Sequence, residues 1–236
     1  MNIEEALERH SEWTLSEAGS PEEIDGQTIS NIDFSKFNLR GLSVKDCRLV
    51  DCRFSDATAV DMVVSRTRFH DCSLDGAVLA SLQAHDTRFE GCNFAGADLS
   101  AAILSDSNFI ASSLARCNVT NASFYRCGLE GADLTGASAK KTYWDSCDLR
   151  QVRYAGALLS SARFVACDLR SASFKGAQFE RTSFRSCYVY DVSGPVQLSR
   201  EAGTAVMAEM CDLSSAADGS EPASEASVVA LLTRYE

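Results

Sequence analysis

Residues 170–179 read RSASFKGAQF and residues 130–138 read EGADLTGAS. Both put a large apolar side chain at every fifth place and a small one two residues earlier. Extended outward, the pattern does not slip. Every fifth residue from Ile29 to Val189 is apolar, thirty-three positions in a row, and only Ala59, Ala84 and Ala139 among them are alanine. At 45% apolar composition such a run does not arise by chance. Two residues before each lies a second series, from Cys47 through Cys52, Ala57 and Met62 to Cys187, nearly all of it small.

Few backbones can use a period of five. In an α-helix five residues advance the direction by about 140°, which smears the apolar positions around the axis. In a flat strand an odd period throws successive large residues to opposite faces. A chain that turns a corner every five residues satisfies the pattern, because each short side then points one large and one small residue inward.

The number of sides follows from spacing by twenty. Cys52, Cys72 and Cys92 are twenty apart, as are Cys127, Cys147, Cys167 and Cys187. Phe69, Phe89 and Phe109 form one aromatic column, and Phe124, Trp144, Phe164 and Phe184 another. Twenty residues are four pentapeptides, so one coil has four sides. With coils about 4.8 Å apart, about eight of them make a rod on the order of 40 Å long. Leu42, Met62 and Leu82 share one column of the small series, which predicts a bulged side there, eased by Ala84.

These residues resemble the pentapeptide repeat family, whose consensus is A(D/N)LXX with an inward Leu or Phe and an inward small residue. The resemblance covers residues 29–191, about two-thirds of the chain. It implies an all-β solenoid, the right-handed quadrilateral β-helix of about eight coils, of a bacterial type.

A solenoid leaves unpaired backbone at both ends and needs caps. Residues 1–28 are expected as an N-terminal capping helix and loop. The helix falls over 3–18, with Ile3, Leu7, His10 and Trp13 on one face, and the loop over 14–28. Residues 192–236 are expected as a C-terminal helical segment, a cap or a dimerisation element, with helices over 198–210 and 224–235. Ser193-Gly194-Pro195 is expected to halt the repeat.

Composition narrows function. No stretch is long and apolar enough to span a membrane, and the acidic start MNIEEALERHSEW lacks a secretion signal. A cytoplasmic location with reduced thiols is expected. The net charge of −11 is uneven: residues 1–30 carry −7, 31–110 carry −3, 111–191 carry +4 and 192–236 carry −5. The repeat body is nearly neutral.

No enzyme chemistry is expected. His70 and His85 both follow an inward residue, point outward and lie on different sides. The thiols stand in parallel columns among Leu and Phe and do not converge on an ion, so they are expected as small core residues. No phosphate loop is present, and no cofactor is expected. Arg48, Arg68 and Arg88 stack outward, with Asp46, Asp86 and Glu90 expected to neutralise them.

Exposed apolar residues carry the functional expectation. Val63, Ile103 and Tyr143 share an outward column, with Tyr125 and Val165 on the same side, where a protein partner would dock. The leading expectation is a non-catalytic interaction scaffold, without direct nucleic-acid binding. The family resemblance implies an alternative, a DNA-mimicking protein that binds DNA gyrase or topoisomerase IV, protects it from inhibitors and dimerises through its C-terminal segment. A third is an effector or accessory module working beside a partner enzyme.

Overall fold

The computed structural model describes residues 2–16, 20–189, 191–193, 197–198, 207–209, 211–212 and 222–223. Corners come first. Every fifth residue from Gly26 to Asp191, Lys36 excepted, has a positive φ, between +46° and +71°. Lys36 lies instead in a short 3-10 turn, Phe34–Lys36. One left-handed residue in five bends an otherwise extended chain at each repeat boundary. Some corners close as hydrogen-bonded turns, as where Ala57 N–H donates to Phe54 O (2.9 Å) and Leu82 N–H to Leu79 O (3.0 Å). A positive φ at the third residue of such a turn is the type II geometry.

Four corners return the chain to its starting side, one coil up. On the first side Val44, Val64, Ala84, Leu104, Phe124, Trp144, Phe164 and Phe184 pair in register, each twenty residues from the last. This side forms a ten-stranded parallel sheet, and the second a four-stranded one through Ile29, Leu49, Phe69 and Phe89. The third and fourth sides are held by single bridges at the same spacing, such as Arg53↔Ser73 and Val78↔Asp98. The whole is a four-sided β-solenoid of about eight turns.

Both inward series are buried over the length of the rod. Phe69, Phe89 and Phe109 stack at 4.9 and 4.8 Å between ring centres. Phe124, Trp144, Phe164 and Phe184 stack at 4.0, 6.0 and 4.8 Å. Burying each such side chain contributes roughly 1.5–3 kcal/mol, and only stacking of coils supplies that burial. Cys127, Cys147 and Cys187 donate their S–H to the carbonyls of Leu104, Phe124 and Phe164, at 3.5, 3.4 and 3.4 Å, and Cys167 donates to Val165 O at 3.3 Å. Thr142 makes the equivalent bond to Val119 O, 3.1 Å. The small position therefore favours a short side chain that donates once to the backbone, which explains why Cys, Thr and Ser share it with Ala. Burial pushes the Cys117 thiol up to about 12, so it is held as an inert S–H.

Leu42, Met62 and Leu82 are all buried, and side one keeps its register through Val44, Val64 and Ala84. The expected bulge is thus no slip of pairing; a cavity of only about 10 Å³ lies beside Met62 and Leu82.

The N-terminal helix, Ile3–Ser16, closes the first coil. Leu7 enters the core and Ile3 packs against it. His10 is fully buried, accepting from Glu22 N–H at Nδ1 (3.2 Å) and donating from Nε2 to Arg40 O (3.0 Å). Trp13 lies over Gly41.

Two expectations at the ends are corrected. The loop over 14–28 contains a strand, Glu23–Asp25, because Ile24 continues the five-residue series one coil earlier and pairs with Val44. The helix over 198–210 is strand where it is described. Gln197–Leu198 pairs with Gln178–Phe179, and Met207–Glu209 adds to the first-side sheet beside Ser183–Arg185. Unpaired backbone on the last coil is met by more β-structure at altered spacing, Phe179↔Leu198 and Phe184↔Ala208, so the strict period does end near Ser193. The helix expected over 224–235 lies outside the described residues.

Candidate functional site

Side one presents two outward columns. The first runs Val63, Gln83, Ile103, Ser123, Tyr143, Arg163, and the second Ser65, His85, Ser105, Tyr125, Asp145, Val165, each step set by the parallel register. The structure therefore places Val63, Ile103, Tyr125, Tyr143 and Val165 on one sheet face. Val63 and Ile103 are 39% and 52% exposed, unlike the inward apolar residues beside them. The other three are half-buried.

Tyr125 and Tyr143 meet edge to face, with ring centres 5.7 Å apart. Tyr143 Oη donates to Asp145 Oδ2 (3.3 Å), and Ser146 Oγ donates to Asp145 Oδ1 (2.9 Å). Partial burial, then the Asp145 charge, raises the phenol of Tyr143 above its ordinary value, so it stays a neutral donor. Beside the rings opens a shallow groove of about 510 Å³, lined by Ser123, Tyr125, Lys141, Tyr143, Ser161 and Arg163.

Sequence reasoning missed the two cations of this groove. Among the described residues neither Lys141 nor Arg163 has a carboxylate partner. Their signal was present: Lys141 is a corner residue with φ +56°, and Arg163 follows Tyr143 in its column. It is visible only when the corner and outward columns are read together. Exposed Val78, Ile110 and Tyr188 were also passed over.

His70 faces Asp71 and Glu90 on side two, while His85 faces Ser105 and Asp106 on side one, so the histidines do not converge. Among the described residues no group of three or more His, Cys, Asp or Glu is arranged to hold a metal ion, and no helix is long and apolar enough to cross a membrane. The expected neutralisation of Arg48, Arg68 and Arg88 is corrected. Asp46 is held by Arg66 in a two-pronged pair (2.7 and 2.8 Å) and Glu90 lies by His70, so no described carboxylate pairs with those three arginines.

A closed four-sided tube with a corner every five residues, and one large and one small residue inward per side, defines a class of fold, the right-handed quadrilateral β-helix. Residues 63–138 match the family model described as a pentapeptide repeat region, and residues 147–185 match that of pentapeptide repeats in eight copies. The chain belongs to the pentapeptide repeat family. No curated protein matches it in sequence. Among solved structures it is similar to QnrB1, a plasmid-mediated fluoroquinolone resistance protein, at 17% identity over 82% of this chain and 90% of that one, with a TM-score of 0.44. It is also similar to HetL, a pentapeptide repeat protein involved in heterocyst differentiation regulation from the cyanobacterium Nostoc sp. strain PCC 7120, at 19% identity over 91% of each chain, TM-score 0.46.

Proposed function

We propose that this protein is a non-catalytic interaction rod that docks a protein partner on side one, with an acidic, apolar-bearing segment of that partner in the groove of Tyr125 and Tyr143. The observation that carries this reading is the pairing of an aromatic step with two cations that no described carboxylate neutralises, Lys141 and Arg163, on one sheet face. Ile103 and Val63 extend the contact toward the N-terminal end. Aromatic and Arg side chains in such a setting carry most of the binding energy at protein interfaces.

A photocrosslinking residue in place of Tyr143, compared with one at Ala115 on side three, tests this in the source cells. Adducts with a defined protein from the Tyr143 site only, lost on Arg163→Glu, are expected. Equal labelling from both sides, or none from Tyr143, would refute it.

The family resemblance supports a narrower version in which the partner is a type II topoisomerase. The net charge of −11 favours that version, while the +4 of residues 111–191 weighs against mimicry of DNA along the whole rod. A supercoiling assay with purified gyrase discriminates: protection from an inhibitor supports it, and no effect at about micromolar protein, a working range for specific complexes, leaves the general scaffold.

A further inference from the structure

Side two carries a different pattern. Its first outward column runs Arg48, Arg68, Arg88, Asn108, Gly128, Asp148, Asp168, Tyr188, successive residues paired in parallel one coil apart. The second, two residues on, runs Val50, His70, Glu90, Ile110, Glu130, Arg150, Arg170. The first column goes from positive to negative along the rod, and the second from negative to positive. Arg48, Arg68 and Arg88 are exposed, parallel, about 4.8 Å apart and unpaired among the described residues. Asp148 and Asp168 lie at the other end of the same column. Arg150 bonds Asp148 at 2.6 Å and Glu130 at 2.9 Å, and Arg170 bonds Asp168 at 2.5 Å.

We infer that side two is a self-association surface that takes a second copy of this chain, face to face and antiparallel. A two-fold axis lying across the face, perpendicular to the rod, inverts the rod direction but keeps each column opposite itself. With the axis between Ile110 and Glu130, Arg88 meets the partner's Asp148, Arg68 meets the partner's Asp168, and Glu90 meets the partner's Arg150. Arg48 falls opposite the partner's Tyr188, which is 42% exposed and whose ring already has Arg170 of its own chain over it at 6.0 Å. The two Ile110 side chains, each 46% exposed, lie one coil apart across the axis, beside the flat step left by Gly128.

Charge selects this arrangement over its neighbours. A shift by one coil sets Glu90 against the partner's Glu130. A parallel pair sets the two columns opposite each other at one height, so Arg88 alone of the three arginines meets a carboxylate, the partner's Glu90, while Arg48 and Arg68 face Val50 and His70, and Asp148 and Asp168 meet only the Arg150 and Arg170 positions that already hold them within the chain. Only this antiparallel register gives two of the three arginines carboxylate partners while setting no two carboxylates opposite each other; His70 then faces the partner's Arg170.

The test uses the full chain in sedimentation-equilibrium runs, with circular dichroism confirming that each variant folds. The wild type is expected to dimerise at about 100 µM, where a micromolar dissociation constant leaves the dimer dominant, and to weaken as salt screens the contacts. Charge reversal at R68E with R88E, or at D148R with D168R, is expected to weaken self-association by about tenfold or more. Mixing the two folded variants restores a dimer, because every reversed charge then meets its opposite, a result that mere structural damage would not give. A monomeric wild type at low salt overturns the inference. So does an R68E/R88E dimer as tight as the wild type, which would put the contact elsewhere, the C-terminal segment included. A mixture of folded variants that stays monomeric overturns it too.

Discussion

Removing the Phe109 ring tests whether the aromatic columns bear the weight assigned to them. Phe109 is fully buried, stacked on Phe89 at 4.8 Å and edged by Phe94 and Phe124 at 5.7 and 6.4 Å. Its backbone is tied to both neighbouring coils, donating to Gly128 O (2.7 Å) while Asn108 O accepts from Phe89 N–H (2.8 Å). The walls therefore resist collapse. At Ala84, where the rod already has an alanine, Leu82 fills from the adjacent inward position; beside Phe109 that position is Ser107, too short to do so. Phe→Ala in cores costs about 3–5 kcal/mol, more where the site cannot relax, so Phe109→Ala is placed at about 4 kcal/mol or above. For a chain of this size that lowers Tm by about 8–16 °C. Urea unfolding followed by circular dichroism, with hydrogen exchange across residues 89–129, measures the loss and its locality. A cost under about 1 kcal/mol, an ordinary surface value, or protection lost evenly along the rod, would refute the stacked-column reasoning.

Tyr154 is wholly buried and its hydroxyl has no hydrogen-bond partner among the described residues, so Tyr154→Phe is expected to stabilise by about 1 kcal/mol in urea melts, the order of an unsatisfied buried hydroxyl; destabilisation would show a hidden partner. Burial lowers the pKa of His10 below its usual 6.5. The unfolded chain then binds the proton more readily, so the stability contributed is complete above the unfolded value and is lost as pH falls through it toward the folded one. The protection factor of residues 7–13, taken relative to the intrinsic exchange rate at each pH, is expected to fall on acidification in the wild type and not in His10→Gln. A Cβ on Gly76 would collide with Asp56 Oδ1 one coil below, whereas at Gly96 it meets nothing; both have positive φ. Gly96→Val is expected to cost about 1–2 kcal/mol from backbone strain alone, and Gly76→Val about the same by thermal melts, because the exposed Asp56 carboxylate swings aside.

Much of the rod is legible because the five-residue period is local and repeated. The inward place of Phe69, Trp144, Phe164 or Cys147 follows from counting, and twenty-residue spacing brings each to its column neighbour. Corners were half legible: glycine, aspartate and asparagine recur there, but arginine, lysine and alanine take the same left-handed φ at Arg116, Lys141 and Ala101, because stacked coils hold them in it. The ends were less legible, since Met207–Glu209 is strand through the sheet edge it joins rather than through any period of its own.

Column chemistry lies beyond counting for a related reason. Periodicity says that Arg66, Arg68 and Asp46 all point outward, but side-chain reach sends Asp46 to Arg66 and leaves Arg68 without a carboxylate among the described residues. Likewise Lys141, Tyr143 and Arg163 are ordinary outward residues until adjacent coils line them along one groove. Backbone direction is dictated every five residues along the chain, whereas a surface contact depends on atoms twenty residues apart and on which of several competing partners each flexible side chain reaches first.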